Sequence, residues 1–163
     1  MLLRSRELKE KHQTFNFNEW ERGPYIAWTM QGTRPGGAIA AAWATLQHLG
    51  DEGYMRCARM IMDNKKALID GIARIPGLAV LEPNELSIFV TRSADPALDI
   101  GAVSDAMGTR GWLVGRQVEP PGIHMHLTPS HESMVGDYLE DLTWAVGEAR
   151  RSGASSRNVG STY

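Results

Sequence analysis

The residues of this 163-residue chain that could do chemistry fall in three places. The most organised is Gln31-Gly32-Thr33-Arg34-Pro35-Gly36-Gly37, followed by Ala38-Ile39-Ala40-Ala41-Ala42-Trp43. Gly32 lets the backbone pass close to a neighbour, Thr33 offers a hydroxyl where an N-cap belongs, and Pro35 suits a first helical turn. The first N–H groups of a helix have no partner within it and lie at its positive end. A turn with Gly, Thr and Arg at that point reads as an anion or phosphate site. A capped core helix with an ion-paired arginine is the other reading of the same residues.

The second place is His124-Met125-His126, with His131 close behind. Histidines two apart on a strand share a face, and three could hold a metal. No carboxylate or cysteine is spaced to complete such a site, so the expectation is hydrogen-bonded or exposed histidines and no metal. The third is a helix carrying Cys57, Lys65 and Lys66. Cys57 falls on its apolar face and reads as an inert buried thiol. A lysine that forms Schiff bases needs desolvation or a cationic neighbour, and Lys65 and Lys66 read as solvated charge. No nucleophile-elbow, Walker or dinucleotide motif is present. Local residues alone supply no complete catalytic site.

Ser5 is placed to cap a short helix over Arg6–Lys11. Phe15, Phe17, Trp20, Tyr25, Trp28 and Met30 follow without a clear period, which predicts a long aromatic loop laid on something, such as another subunit. Ala38, Ile39, Ala42, Trp43, Leu46 and Leu49 give the next helix a core face, ending at Gly50. Asp51 then starts a longer helix to about Ile75, with Tyr54, Cys57, Ala58, Ile61, Leu68, Ile72 and Ile75 inward. Strands are expected at 78–81, 86–90, 112–115 and 123–128. A short helix capped by Asp99 fills 100–109, and a last one runs from Ser130 or His131 to Ala149 with Val135, Leu139, Leu142, Val146 and Ala149 inward. The sequence from Arg151 is expected to be disordered. The order predicts an α+β fold, a mainly antiparallel sheet covered by helices.

Apolar content of 42% and charge of 22% are those of a globular domain with a real core. A net charge of −2 gives no reason to expect nucleic acid or an anionic membrane as partner. One cysteine forms no internal disulfide, no apolar run reaches membrane-span length, and the first residues do not read as a signal peptide. A cytoplasmic protein is the expectation.

Taken together, Tyr25 to Gly37, the Ala-Ile-Ala-Ala-Ala-Trp run, Leu49-Gly50 and Glu52-Gly53-Tyr54 resemble the pyridoxal-phosphate-dependent group II decarboxylase superfamily. The branch they resemble is that of sphingosine-1-phosphate lyase and its bacterial relatives. Gly111-Trp112-Leu113 and Gln117-x-x-Pro120-x-x-Ile123-His124 match the same branch, and the likeness covers roughly residues 1–150. It implies the small C-terminal domain of a type I, aminotransferase-like fold at 51–150, with a remnant of the large domain, the aromatic loop and a linking helix at 1–50, and a tail at 151–163. The family's Schiff-base lysine follows a histidine, and no His-Lys pair occurs in this sequence. The resemblance therefore implies a C-terminal section holding no catalytic residue of its own.

The same likeness implies one site. In the family the Ser/Thr of the turn reaches across a homodimer toward the partner's pyridoxal 5'-phosphate; here that is Thr33, with Gly32 giving close backbone approach and Arg34 bracing the turn. Tyr25 is expected at the active-site mouth, and Gln117 and His124 match without an assigned role. The expected function is part of a carbon–carbon lyase performing retro-aldol cleavage of a phosphorylated long-chain amino alcohol, inactive alone. A fragment of an amino-acid decarboxylase and a non-catalytic dimerising domain are the alternatives.

Overall fold

The structure, a computed structural model, describes residues 4–12, 15–27, 32–153 and 155–156, with only the backbone of 15, 16, 26 and 27. Trp28 and Met30 of the aromatic stretch lie outside these residues. The chain divides into two units, Met1–His48 and Leu49–Tyr163.

In the first unit, helix α1 (Arg6–His12) starts as its sequence predicts: the Leu8 N–H donates to Ser5 Oγ at 3.3 Å. The aromatic stretch is not one long loop. Phe15–Phe17 (β1) and Tyr25–Ala27 (β2) pair antiparallel, with Phe17 opposite Tyr25. Their connection closes on Gly23, at φ 92°, whose N–H donates to Trp20 O at 2.8 Å. Trp20 meets Tyr25 edge to face at 5.6 Å, so the hairpin buries aromatic surface against itself.

Helix α2 (Gly36–Ile72) is two helices joined at Gly50, whose φ of 55° and ψ of −176° are non-helical. The Ala-rich first part was expected to be a core helix. Instead Ile39, Trp43 and Leu46 are 66%, 65% and 55% exposed in this chain. Its apolar positions have the right spacing, but nothing described within its own unit covers them.

The second unit carries a four-stranded antiparallel sheet in the order β3 (Leu78–Val80), β4 (Ile88–Ser93), β6 (Gly122–His126), β5 (Gly115–Gln117). Phe89 pairs with Met125 and Thr91 with Ile123. By strand alternation these four face the helices, while Ile88, Val90, His124 and His126 occupy the other face. Leu68 and Ile72 of α2, Val103 and Met107 of α3 (Ile100–Thr109), and Leu142 and Val146 of α4 (Val135–Ser152) complete one core with Phe89 and Ile123. This is the predicted α+β layering.

Several local expectations are corrected. Tyr54 and Ala58 are exposed and Cys57 is half-buried, so the inner stripe of α2 begins only near Ile61. Lys65, expected in solvent, is 4% exposed. The third strand starts at Gly115, because Trp112 turns onto α4 instead of entering the sheet. Pro129–Met134 form a 3-10 turn ahead of α4, and α4 continues to Ser152 with Gly153 as its left-handed cap at φ 57°. Ser156, in the stretch expected to be disordered, is hydrogen-bonded to α3 and β5.

Candidate functional site

The Gly32–Pro35 turn is exposed throughout, and α2 begins only at Gly36. Thr33 therefore precedes the helix by more than the one position expected of an N-cap. Its hydroxyl has no hydrogen-bond partner among the described residues. The backbone explains this: Pro35 disfavours a helical residue before it, so the turn projects ahead of the helix end. The result is a hydroxyl and a positive helix terminus presented to the outside, a suitable donor set for an anion.

Tyr25 stands beside this turn. A methyl group built on Gly32 would lie 3.6 Å from Tyr25 Oη, an ordinary contact. No steric demand within the described chain requires glycine at position 32. Tyr25 also lines, with Phe17 and Trp20, an open apolar hollow of about 270 Å³. Two of the expected site residues, Gly32 and Tyr25, are thus adjacent through the hairpin.

The histidines lie elsewhere, on the second unit. His124, His126 and His131 line an open groove of about 650 Å³ together with Trp112, Met125 and Tyr138. His131 is used structurally: its Nδ1 accepts the Thr128 N–H at 2.9 Å, capping the 3-10 turn. Among the described residues no three His, Cys, Asp or Glu side chains are grouped to hold a metal ion.

Gln117 donates through Nε2 to Pro120 O at 3.1 Å, so this motif residue closes its own Pro-rich connection. Gly111, at φ 89°, ends α3 in a conformation that disfavours a side chain, and the next residue, Trp112, anchors to α4. These two motifs therefore have visible structural work. The lysines are distributed without convergence: Lys9 and Lys11 lie on α1, Lys66 pairs with Asp70 at 2.5 Å, and Lys65 is buried.

The sphingosine-1-phosphate lyase of Arabidopsis thaliana is 38% identical over 146 residues, 90% of this chain and 26% of that protein. The chain is homologous to one part of the sphingosine-1-phosphate lyases. A probable L-tyrosine/L-aspartate decarboxylase of Methanothermobacter thermautotrophicus is 36% identical over 115 residues, 70% of this chain and 31% of that protein. The solved sphingosine-1-phosphate lyase of Burkholderia pseudomallei superposes with a TM-score of 0.77 at 33% identity, over 91% of this chain and 33% of its own. No protein-family model matches the sequence. The resemblance to the pyridoxal-phosphate-dependent group II decarboxylase superfamily thus holds in sequence and in fold, and the antiparallel sheet with its helices is the mixed α+β class expected. The chain spans about a quarter of the length of the curated lyases it matches. No described helix is long and apolar enough to cross a membrane.

The cofactor of that superfamily can be tested against the residues at hand. The exposed hydroxyl of Thr33, the open position at Gly32 and the helix start behind them fit its phosphate group. No His-Lys pair is present in the sequence to supply the covalent anchor.

Proposed function

We propose that this chain supplies the phosphate-facing turn of a pyridoxal-phosphate-dependent carbon–carbon lyase whose site is shared between two subunits. Its substrate class is a phosphorylated long-chain amino alcohol. The observation that carries the reading is the Thr33 hydroxyl, exposed and without a hydrogen-bond partner among the described residues, in the turn that resembles the family's. When bound, the cofactor is the electron sink that makes carbon–carbon cleavage possible.

This chain's own residues hold and orient. Thr33 donates its hydroxyl to a phosphate oxygen, and Gly32 leaves room for that approach. The helix beginning at Gly36 stabilises the negative charge. Tyr25 stands at the mouth and keeps water from one side. The chain alone has no turnover, because no His-Lys pair is present in its sequence.

On this reading residues 1–50 are a large-domain remnant with the linking helix, residues 51–150 are the small domain, and the working unit is a cytoplasmic homodimer. The exposed stripe Ile39, Trp43, Leu46 supports a dimer face. It also supports a second reading, a non-catalytic dimerising domain. Amino-acid decarboxylation is the neighbouring chemistry, supported by the archaeal relative.

The test is a chimera of the Burkholderia pseudomallei lyase in which this chain replaces the matching segment. Release of a long-chain aldehyde is expected, and Thr33→Val is expected to weaken cofactor binding at least about tenfold, the worth of one charge-assisted hydrogen bond. A folded, dimeric chimera that binds no cofactor, or a Thr33→Val variant with unchanged affinity, overturns the reading.

A further inference from the structure

Ser156 is tied to three residues of the second unit, two on α3 and its cap and one on β5. Its N–H donates to Asp99 Oδ2 at 3.0 Å, and its hydroxyl donates to Asp105 Oδ2 at 2.8 Å. Arg116 Nη1 donates to the same hydroxyl oxygen at 2.8 Å, while Arg116 Nη2 is paired with Asp105. Asp99 is at the same time the N-cap of α3, its Oδ1 accepting from Gly101 N at 2.7 Å and Ala102 N at 3.3 Å. One carboxylate thus serves the helix start with one oxygen and the returning chain with the other.

The seat is also shaped sterically. A methyl group built on Gly101 would lie 2.5 Å from Ser156 Cβ and 3.0 Å from Asp99 Oδ1. Glycine at this second helical position, otherwise unfavourable in a helix, is required while Ser156 occupies its place. Beside the seat is a cavity of about 220 Å³ into which Ser104 faces. Ser104 is 3% exposed and its Oγ has no hydrogen-bond partner among the described residues. This corner is therefore loosely packed and held by polar contacts.

We infer that Ser156 is a latch: the chain returning from α4 closes the α3–β5 corner, and its release opens that corner without unfolding the core. Ser156 acts as a positioning residue. Through Arg116 it fixes β5, the strand that carries the motif residue Gln117. A carboxylate or phosphate placed at position 156 meets Asp99 and Asp105 as well as Arg116 and forfeits the hydroxyl's donation to Asp105, so the latch is sensitive to charge. The inference does not depend on the cofactor reading.

The experiment uses the full chain and reads amide hydrogen exchange and thermal unfolding. Ser156→Ala and Ser156→Glu are expected to speed exchange at Gly101, Ala102 and Arg116 by about fivefold or more, the equivalent of one lost hydrogen bond. Exchange at the core of α4 stays unchanged, as does the whole profile of Ser155→Glu at the exposed neighbour. Gly101→Ala lowers the melting temperature when Ser156 is present. In a Ser156→Gly background the same change costs clearly less, because only the Asp99 Oδ1 contact remains and alanine is the better helix former. Exchange at Gly101 and Ala102 in Ser156→Glu equal to the parent's, or a Gly101→Ala effect of the same size in both backgrounds, overturns the latch. Should Gly101→Ala fail to fold, the Ser156→Glu exchange profile decides alone.

Discussion

Trp112 Nε1 donates a hydrogen bond to Asp141 Oδ2 at 2.8 Å, joining the residue after the α3 cap to the middle of α4. Arg110 holds the other carboxylate oxygen at 3.1 Å and lies over the Trp144 ring at 4.1 Å, and Trp112 meets Tyr138 edge to face at 5.2 Å. The Gly-Trp motif is thereby a clamp between two helices.

Asp141→Ala leaves a part-buried indole N–H without its acceptor. Stability is expected to fall by about 1–3 kcal/mol, read as a lower midpoint in urea with unchanged slope. Asp141→Asn keeps an acceptor and loses less. Arg110→Ala, at an exposed ion pair, costs at most about 1 kcal/mol.

Burial pushes the Tyr138 hydroxyl well above its ordinary pKa of 10.0. The folded state keeps the proton where the unfolded chain gives it up. Stability is therefore unaffected below pH 10 and falls as pH rises further, by about 1.4 kcal/mol per pH unit from this group. Thermal melts of the parent and Tyr138→Phe between pH 8 and 11 should diverge only at the alkaline end, with the parent losing more.

Lys65 is buried and has no hydrogen bond or ion pair among the described residues. Replacing it by methionine keeps the buried aliphatic stem and changes only the amine at its tip. Stability is expected to stay within about 0.5 kcal/mol of the parent's, measured by denaturant unfolding. A loss of stability would show that the amine has a partner.

Trp43 is 65% exposed, so Trp43→Ala should change the unfolding of a monomer by no more than about 0.5 kcal/mol. If the stripe is a dimer face, the same change weakens self-association by about 30-fold, as loss of an aromatic anchor does. Sedimentation equilibrium measures it, and association equal to the parent's removes Trp43 from the interface.

Gly32→Ala meets Tyr25 Oη at an ordinary distance, so the chain should fold as before. In the lyase chimera it should reduce cofactor affinity, because on the proposed reading the added methyl stands where the phosphate approaches. Unchanged affinity would mean that the turn faces something else.

The sequence by itself determined what local chemistry controls. Asp99 before an apolar-periodic segment specified α3 to the residue, and Ser5 specified α1, because a cap acts within three residues of itself. The ordered motifs around Gly32-Thr33 carried the family, since their spacing is written in one dimension. The hairpin at 15–27 escaped because three-residue strands are too short to show a period of two. Tertiary structure alone decided the exposure of Trp43, the burial of Lys65 and the seating of Ser156. Each depends on which surfaces meet across long stretches of chain, as Ser156 does with Asp99 over 57 positions, and periodicity carries no information about that.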